Sequence, residues 1–327
     1  MALATWADQR LSYHARQGDR VHTPRSGCKP WHAPVRLPLK TAAVSGVERL
    51  RRPKAALAPH GWAGALLIAL AWSLNWTLPG LRTHLLFFPL WLGYGLLVDA
   101  LVLRRRSTSI LTRSVSDFAL LFVCSAPAWW LFEAFNLRTH NWDYLGGERF
   151  GPLAYFFLTS LSFSTVMPAV FETAELIRSA GWMRRLSDGP HLGPTQPVLL
   201  AMLGIGLTML ALSMIWPEYF YPFLWGSVFF LTEPINAWRG RPSLLGHLRS
   251  GDWRPAIALA LGALICGFFW ELWNFHSYPK WTYRTPGVEF LHVFEMPLLG
   301  FLGYPPFGLE LFALLYLIAP RPPRLRL

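Results

Sequence analysis

Two glutamates stand in matched surroundings. Glu133 lies in WWLFEAFNLRTHNWDY and Glu271 in FFWELWNFHSYPKWTY. Each is followed three residues on by an asparagine, Asn136 or Asn274, and then by Trp142-x-Tyr144 or Trp281-x-Tyr283. On a helix, positions i and i+3 share a face. The amide can donate to a carboxylate or accept from a carboxylic acid, and so set which oxygen carries the proton. A carboxyl group taken out of water holds its proton more firmly, and a proton kept in a dry pocket is a general acid. Trp129, Trp130, Phe269, Trp270 and Trp273 crowd the same stretches. Aromatic faces stabilise cations. An acid inside an aromatic cage suits protonation of an alkene and shelter of the resulting carbocation, as in isoprenoid cyclisation. The catalytic candidates are therefore Glu271 and Glu133, oriented by Asn274 and Asn136. The pocket candidates are Trp270, Trp273, Trp281, Tyr283, Trp130, Trp142 and Tyr144. The competing readings are hydrogen bonding between helices for the Glu and Asn pairs and an interfacial aromatic belt for the Trp and Tyr.

His276, His292 and Glu295 follow Glu271 and join the pocket candidates, with His292-x-x-Glu295 placed on one helix face. These are metal-ligand types, but the spacing is non-specific and the first stretch offers only His140. No metal and no cofactor are assigned. Cys28, Cys124 and Cys266 have no metal spacing either.

These residues must be positioned by a membrane fold. The 327 residues are 53% hydrophobic and only 15% charged, against about 25% charged in a soluble domain. The apolar residues come in runs of roughly 17–25, the length that crosses a bilayer. The class expected is all-α integral membrane, with eight spans at 61–78, 84–103, 117–135, 152–176, 197–216, 219–236, 255–275 and 289–318. The last is overlong, and Gly303-Tyr304-Pro305-Pro306 breaks it into a shallow half-helix and a span. Residues 1–60 are basic, lack periodicity and read as a disordered tail; 320–327 form a second basic tail. The formal charge of +12 does not point to nucleic acid. All but five of the 30 Lys and Arg fall in the two tails and in three alternate loops, the exceptions being Arg82, Arg138, Arg149, Lys280 and Arg284. Eight spans put every basic segment on one side, so both termini are expected in the cytoplasm.

The matched glutamates belong to a longer duplication. FPLWLGYGLLVDAL resembles YPFLWGSVFFLTEPI, which sets Trp91 on Trp225 and Asp99 on Glu233. PAVFETAEL resembles PFGLELFAL, which sets Glu172 on Glu310. Two copies, 61–185 and 197–319, each hold four spans. Four is even, so the copies run the same way as parallel repeats about an axis along the membrane normal. Acids inside spans cost about 2.5–3.5 kcal/mol each, yet three occur in each copy. Span direction puts Glu133 and Glu271 near the non-cytoplasmic ends. Asp99, Glu233, Glu172 and Glu310 lie nearer the cytoplasm, where Asp99 and Glu233 are placed to pair with loop arginines.

WELWNFHSYPKWTY and VFEMPLLGFLGYPPFGLELFAL resemble a family of uncharacterised bacterial polytopic membrane proteins that bear Trp-Glu-x-x-Asn, Lys-Trp-x-Tyr and Phe-Glu-Met-Pro motifs. That resemblance implies a bacterial cytoplasmic membrane protein and carries no activity with it. In architecture and residue type the chain is also similar to the membrane lycopene cyclase-type domains of carotenoid synthesis, which implies acid chemistry on an isoprenoid. The Pro-x-Glu-Glu of those domains does not occur here. No phosphate loop, dinucleotide fingerprint, nucleophile elbow or zinc spacing is present. Three functions stand: an intramembrane enzyme acting on a lipid or isoprenoid by acid catalysis; a transporter or channel using the carboxylates as a proton or cation path; and a non-catalytic assembly subunit. Outside the acids the spans hold few Ser, Thr, Asn or Gln, which favours a closed pocket over a polar conduit.

Overall fold

Proline sets the start of many of the helices. It occupies the first turn of α1 (Pro59–Thr77), α5 (Pro152–Phe163), α7 (Gln196–Ile215), α8 (Pro217–Phe220), α11 (Arg254–Phe275) and α12 (Tyr304–Ile318). Its missing N–H is not needed there and its fixed φ suits a helix. The remaining helices are α2 (Thr83–Arg106), α3 (Ile110–Arg113), α4 (Val115–Thr139), α6 (Val166–Arg178), α9 (Leu224–Trp238) and α10 (Leu244–Leu248). The computed structural model describes residues 56–80 and 83–327. Most of the expected N-terminal tail, and Cys28 with it, lies outside the described residues. Its far end is helical, because α1 begins at Pro59.

Among the described residues, six segments are long and apolar enough to cross a membrane: His84–Arg106, Val115–Thr139, Pro152–Arg178, Gln196–Ile215, Arg254–Phe275 and Leu298–Ile318. The chain is a multi-pass helical membrane protein. Helices α1 and α9 stand beside these six. Against α2, α1 packs so closely that a Cβ on Gly64 would meet the Gly93 carbonyl oxygen at 2.5 Å, the close backbone approach that small residues allow between membrane helices. α9 packs on α7 and α12, and Pro234 lies inside it. Helix α6 packs on α11 and α12 on α4, so early and late helices share one core of Trp91, Phe132, Phe171, Phe307 and Phe312.

Two short strands close one end. β1 (Trp142–Leu145) follows α4, β2 (Lys280–Tyr283) follows α11, and they pair antiparallel with Trp142 opposite Tyr283 and Tyr144 opposite Trp281. Period-two alternation puts these four aromatics on one face.

The structure corrects several expectations. The fourth span crosses where expected, at Pro152–Arg178, but is built of two helices, α5 and α6, with a turn at Ser164-Thr165. The eighth is helical only from Tyr304. Before it, β3 (His292–Val293) and β4 (Met296–Pro297) form a hairpin, followed by a 3₁₀ turn over Leu298–Gly303. His292 and Glu295 therefore lie on a hairpin and its turn, where an i, i+3 helical face has no meaning. The C-terminal segment is tied down: Arg321 contacts Asp117, Arg324 N–H donates to Asp117 at 3.0 Å, and Arg326 N–H to Glu175 at 2.8 Å.

Candidate functional site

The β1–β2 ribbon brings the ends of α4 and α11 together, and with them the two glutamates. Glu133 Oε1 accepts from Tyr144 Oη at 2.6 Å, Trp129 Nε1 at 2.9 Å and Trp142 Nε1 at 3.1 Å. Glu271 Oε1 accepts from Tyr283 Oη at 2.6 Å and Tyr304 Oη at 2.7 Å, while Trp281 Nε1 donates to Tyr283 Oη at 2.8 Å. Each carboxyl group is thus held by the tyrosine of the strand that follows it.

The further donors differ in an instructive way. Trp129 precedes Glu133 by four residues, and the residue in that place before Glu271 is Gly267. Tyr304 follows Glu271 by 33 residues, and the residue in that place after Glu133 is Val166. A Cβ on Gly267 would sit 2.4 Å from the Tyr304 ring. One carboxyl takes its aromatic donor from its own helix, the other from α12, and the opposite position shrinks to make room.

The asparagines do not orient the glutamates, as the shared helix face suggested. Asn136 Nδ2 donates to the Trp142 carbonyl at 2.8 Å, and its Oδ1 accepts from the N–H of Asn141 at 2.8 Å. Asn274 Nδ2 donates to the Trp281 carbonyl at 2.7 Å, and its Oδ1 accepts from the Trp281 N–H at 3.0 Å. One oxygen of each glutamate is engaged, by a phenol and two indoles at Glu133 and by two phenols at Glu271. The amides instead satisfy backbone groups of the returning strand that would otherwise lack partners.

Between the two clusters lies a cavity of about 410 Å³ whose lining includes Trp129, Trp142, Tyr144, Trp225, Trp270, Trp281, Tyr283, Tyr304 and Phe307. Its size and aromatic lining suit a small apolar ligand. Neither glutamate lines it. Glu271 is wholly buried behind Tyr283 and Tyr304, and Glu133 borders a second, more open cleft with His140 and Tyr155. Burial first, and then the neighbouring Glu133 or Glu271, push the Tyr144 and Tyr283 phenols well above their usual range. Both remain hydrogen-bond donors at any working pH. No family model, no curated protein and no solved structure matches the chain, so the site is read from its geometry.

Five pocket candidates stand elsewhere. Trp130 Nε1 donates to Ser160 at 2.9 Å and its ring stacks on Phe156. Trp273 is in the core against Trp72 and Trp91. His276 packs edge-on to Trp76, His292 is exposed on β3, and Glu295 pairs with Lys280. Among the described residues no group of three His, Cys, Asp or Glu could hold a metal ion. Trp142 is 4% exposed, too buried for an interfacial belt. Tyr304 and Trp225 were missed. Tyr304 sits in the Gly-Tyr-Pro-Pro break, which signalled only a helix start.

The other acids are wholly buried. Asp99 Oδ1 accepts from the Leu111 N–H at 2.9 Å and Glu233 Oε1 from the Leu245 N–H at 2.7 Å, where loop arginines were expected. Each bond fastens a short helix, α3 or α10, whose N-cap is Ser109 or Ser243. Glu310 Oε1 accepts from the Val228 N–H at 3.1 Å, beside the distorted turn at Trp225-Gly226 of α9.

Proposed function

We propose that the chain is an intramembrane enzyme that protonates an isoprenoid or other lipid held in the aromatic cavity. One observation carries the reading: three phenols that line the cavity, those of Tyr144, Tyr283 and Tyr304, are each hydrogen bonded to a glutamate standing behind them. A proton on the glutamate reaches the cavity only through a phenol. With the carboxyl group protonated and the hydrogen bond reversed so that it donates to the phenol oxygen, the phenol gives a proton to an alkene carbon, forming a C–H bond from the π electrons, and takes the carboxyl proton in exchange. The carbocation left behind faces indole rings. Loss of a hydrogen from the adjacent carbon to the phenol, and of the phenol's hydrogen to the carboxylate, closes the cycle with no net proton consumed.

The same reading holds that the chain is two parallel four-helix copies in a bacterial cytoplasmic membrane, with both termini cytoplasmic and with α1 and α9 completing eight spans. Its support is a set of matched bonds. Glu133–Tyr144 answers Glu271–Tyr283, Asn136–Trp142 answers Asn274–Trp281, and Asp99–Leu111 answers Glu233–Leu245. Trp91 packs on Trp270 of α11 as Trp225 packs on Phe132 of α4.

The test is mass spectrometry of total lipid extracts, pigments included, from the native host with and without the gene. The reading expects one species to vanish and a precursor to accumulate, with Tyr283→Phe/Tyr304→Phe behaving like the deletion. An unchanged profile, together with proton flux in liposomes that Glu133→Gln or Glu271→Gln abolishes, would replace it with transport.

A further inference from the structure

The residues that line the aromatic cavity are buried or half-buried with three exceptions, Pro222, Leu299 and Leu302. Leu299 is 44% exposed and Leu302 69%. A residue that lines a cavity and is also open to the outside marks its mouth. Leu299 and Leu302 belong to the 3₁₀ turn over Leu298–Gly303, which packs on α11 and α12. Pro222 stands just before α9. A Cβ on Gly303 would meet the Trp225 ring at 3.2 Å, so the turn lies directly on an indole of the inner wall.

What the mouth faces follows from its rim. Leu298 and Phe223, next in the chain to lining residues, are exposed too. Leu298–Ile318 is among the segments apolar enough to cross a membrane, so the exposed faces of Leu299 and Leu302 are turned to lipid. Hydrocarbon offers no hydrogen bonds, and backbone that meets it must be bonded within the protein. A 3₁₀ turn meets that demand through its own i to i+3 bonds. The N–H of Leu298, at its start, reaches the Leu291 carbonyl at 2.9 Å. The second cleft makes the contrast. Its exposed lining includes His140, Asp143 and Glu148, side chains that suit water. Among the described residues that line the aromatic cavity, Lys280 is the one with a fixed charge, and Glu295 neutralises it. A charged headgroup has no unengaged counter-charge there, and burying a charge without one is costly.

We propose that the cavity opens sideways into the bilayer at Pro222, Leu299 and Leu302 and takes from it an uncharged apolar chain. This rests on the reading of the cavity as a lipid site, and adds the route and the charge class of what enters. The full chain in lipid vesicles tests it with a long-chain alcohol that carries a diazirine in mid-chain. After irradiation, peptide mass spectrometry should find adducts on Phe307, a lining residue only 1% exposed, and on Phe157, which is 62% exposed on the crossing segment Pro152–Arg178. Leu299→Trp/Leu302→Trp fills the mouth and should cut Phe307 labelling at least fivefold while Phe157 labelling holds. Leu299→Phe/Leu302→Phe gives a second reading should the first variant fail to fold. The same chain ending in a sulfate should label Phe157 and spare Phe307. Wild type without Phe307 adducts, or equal Phe307 labelling in the narrowed variants, overturns the mouth. Phe307 adducts from the sulfated chain overturn the charge class. Phe307 adducts that respond as expected, with a lipid profile unchanged by deletion of the gene, sink the acid chemistry and not the mouth. A changed profile with Phe307 unlabelled does the reverse.

Discussion

Replacing Asn274 by Ala removes a donor and an acceptor that both serve Trp281. The lost bonds are 2.7 Å from Nδ2 to the Trp281 carbonyl and 3.0 Å from the Trp281 N–H to Oδ1. An alanine methyl replaces neither, and the half-buried strand cannot turn both groups to water without leaving the ribbon. Each stranded backbone group costs about 1–3 kcal/mol. Partial exposure of Trp281 places the sum near the lower end, at about 2–4 kcal/mol. The assay is reversible unfolding in detergent followed by circular dichroism. Asn136→Ala should cost a similar amount, because its amide also holds its strand, through Trp142 and Asn141. The double variant should cost less than the sum, since β1 and β2 are paired and releasing one frees the other. A loss below about 0.5 kcal/mol for Asn274→Ala, the range of an ordinary surface change, would refute the view that the amide anchors the ribbon.

Gly267→Ala should destabilise by about 1–3 kcal/mol through overpacking against Tyr304, read in the same unfolding assay. Gly64→Leu should detach α1 from α2, read as new protease sensitivity of residues 59–77, because the Gly93 backbone leaves no room for a side chain. At Asp252, burial alone would raise the carboxyl, but Arg254, hydrogen bonded to both oxygens at 2.6 and 2.8 Å, holds it below the usual carboxylate range. A depressed folded value stabilises above the unfolded one, about 3.9, and the benefit is lost as pH falls through the folded value. Asp252→Asn should lower the melting temperature slightly at pH 7, by up to about 1 kcal/mol equivalent for so exposed a pair, and leave it unchanged near the acid limit.

The helices were legible because hydropathy alone marks a bilayer crossing. Expected and observed ends of α7 and α11 differ by at most one residue. The stretch at 289–303 was not legible, because an apolar run does not distinguish a helix from an apolar hairpin packed in protein. Met296-Pro297, Gly300 and Gly303 were the only local warnings. The ribbon was also hidden. Four residues are too few for a period of two to stand out, and its partners are far apart in the chain. The glutamates, and most of the aromatics around them, were found through their repetition. What repetition could not supply was direction. Asn136 and Asn274 share a helix face with their glutamates, yet they point at the strand that returns past them. Tyr304 escaped notice because the residue matching it, Val166, has no polar group to repeat.

The β1–β2 ribbon also sets the mechanics of the bundle. Antiparallel strands in fixed register do not slide past one another without losing every cross-strand bond. The early and late helices are therefore clasped at the end where α4 and α11 finish. A rocking motion that parted them there would have to break Trp142 from Tyr283 and Tyr144 from Trp281. The opposite end is pinned as well, by Arg321 and Arg324 on Asp117 of α4 and by Arg326 on Glu175 of α6, so early and late helices are fastened to each other at both ends.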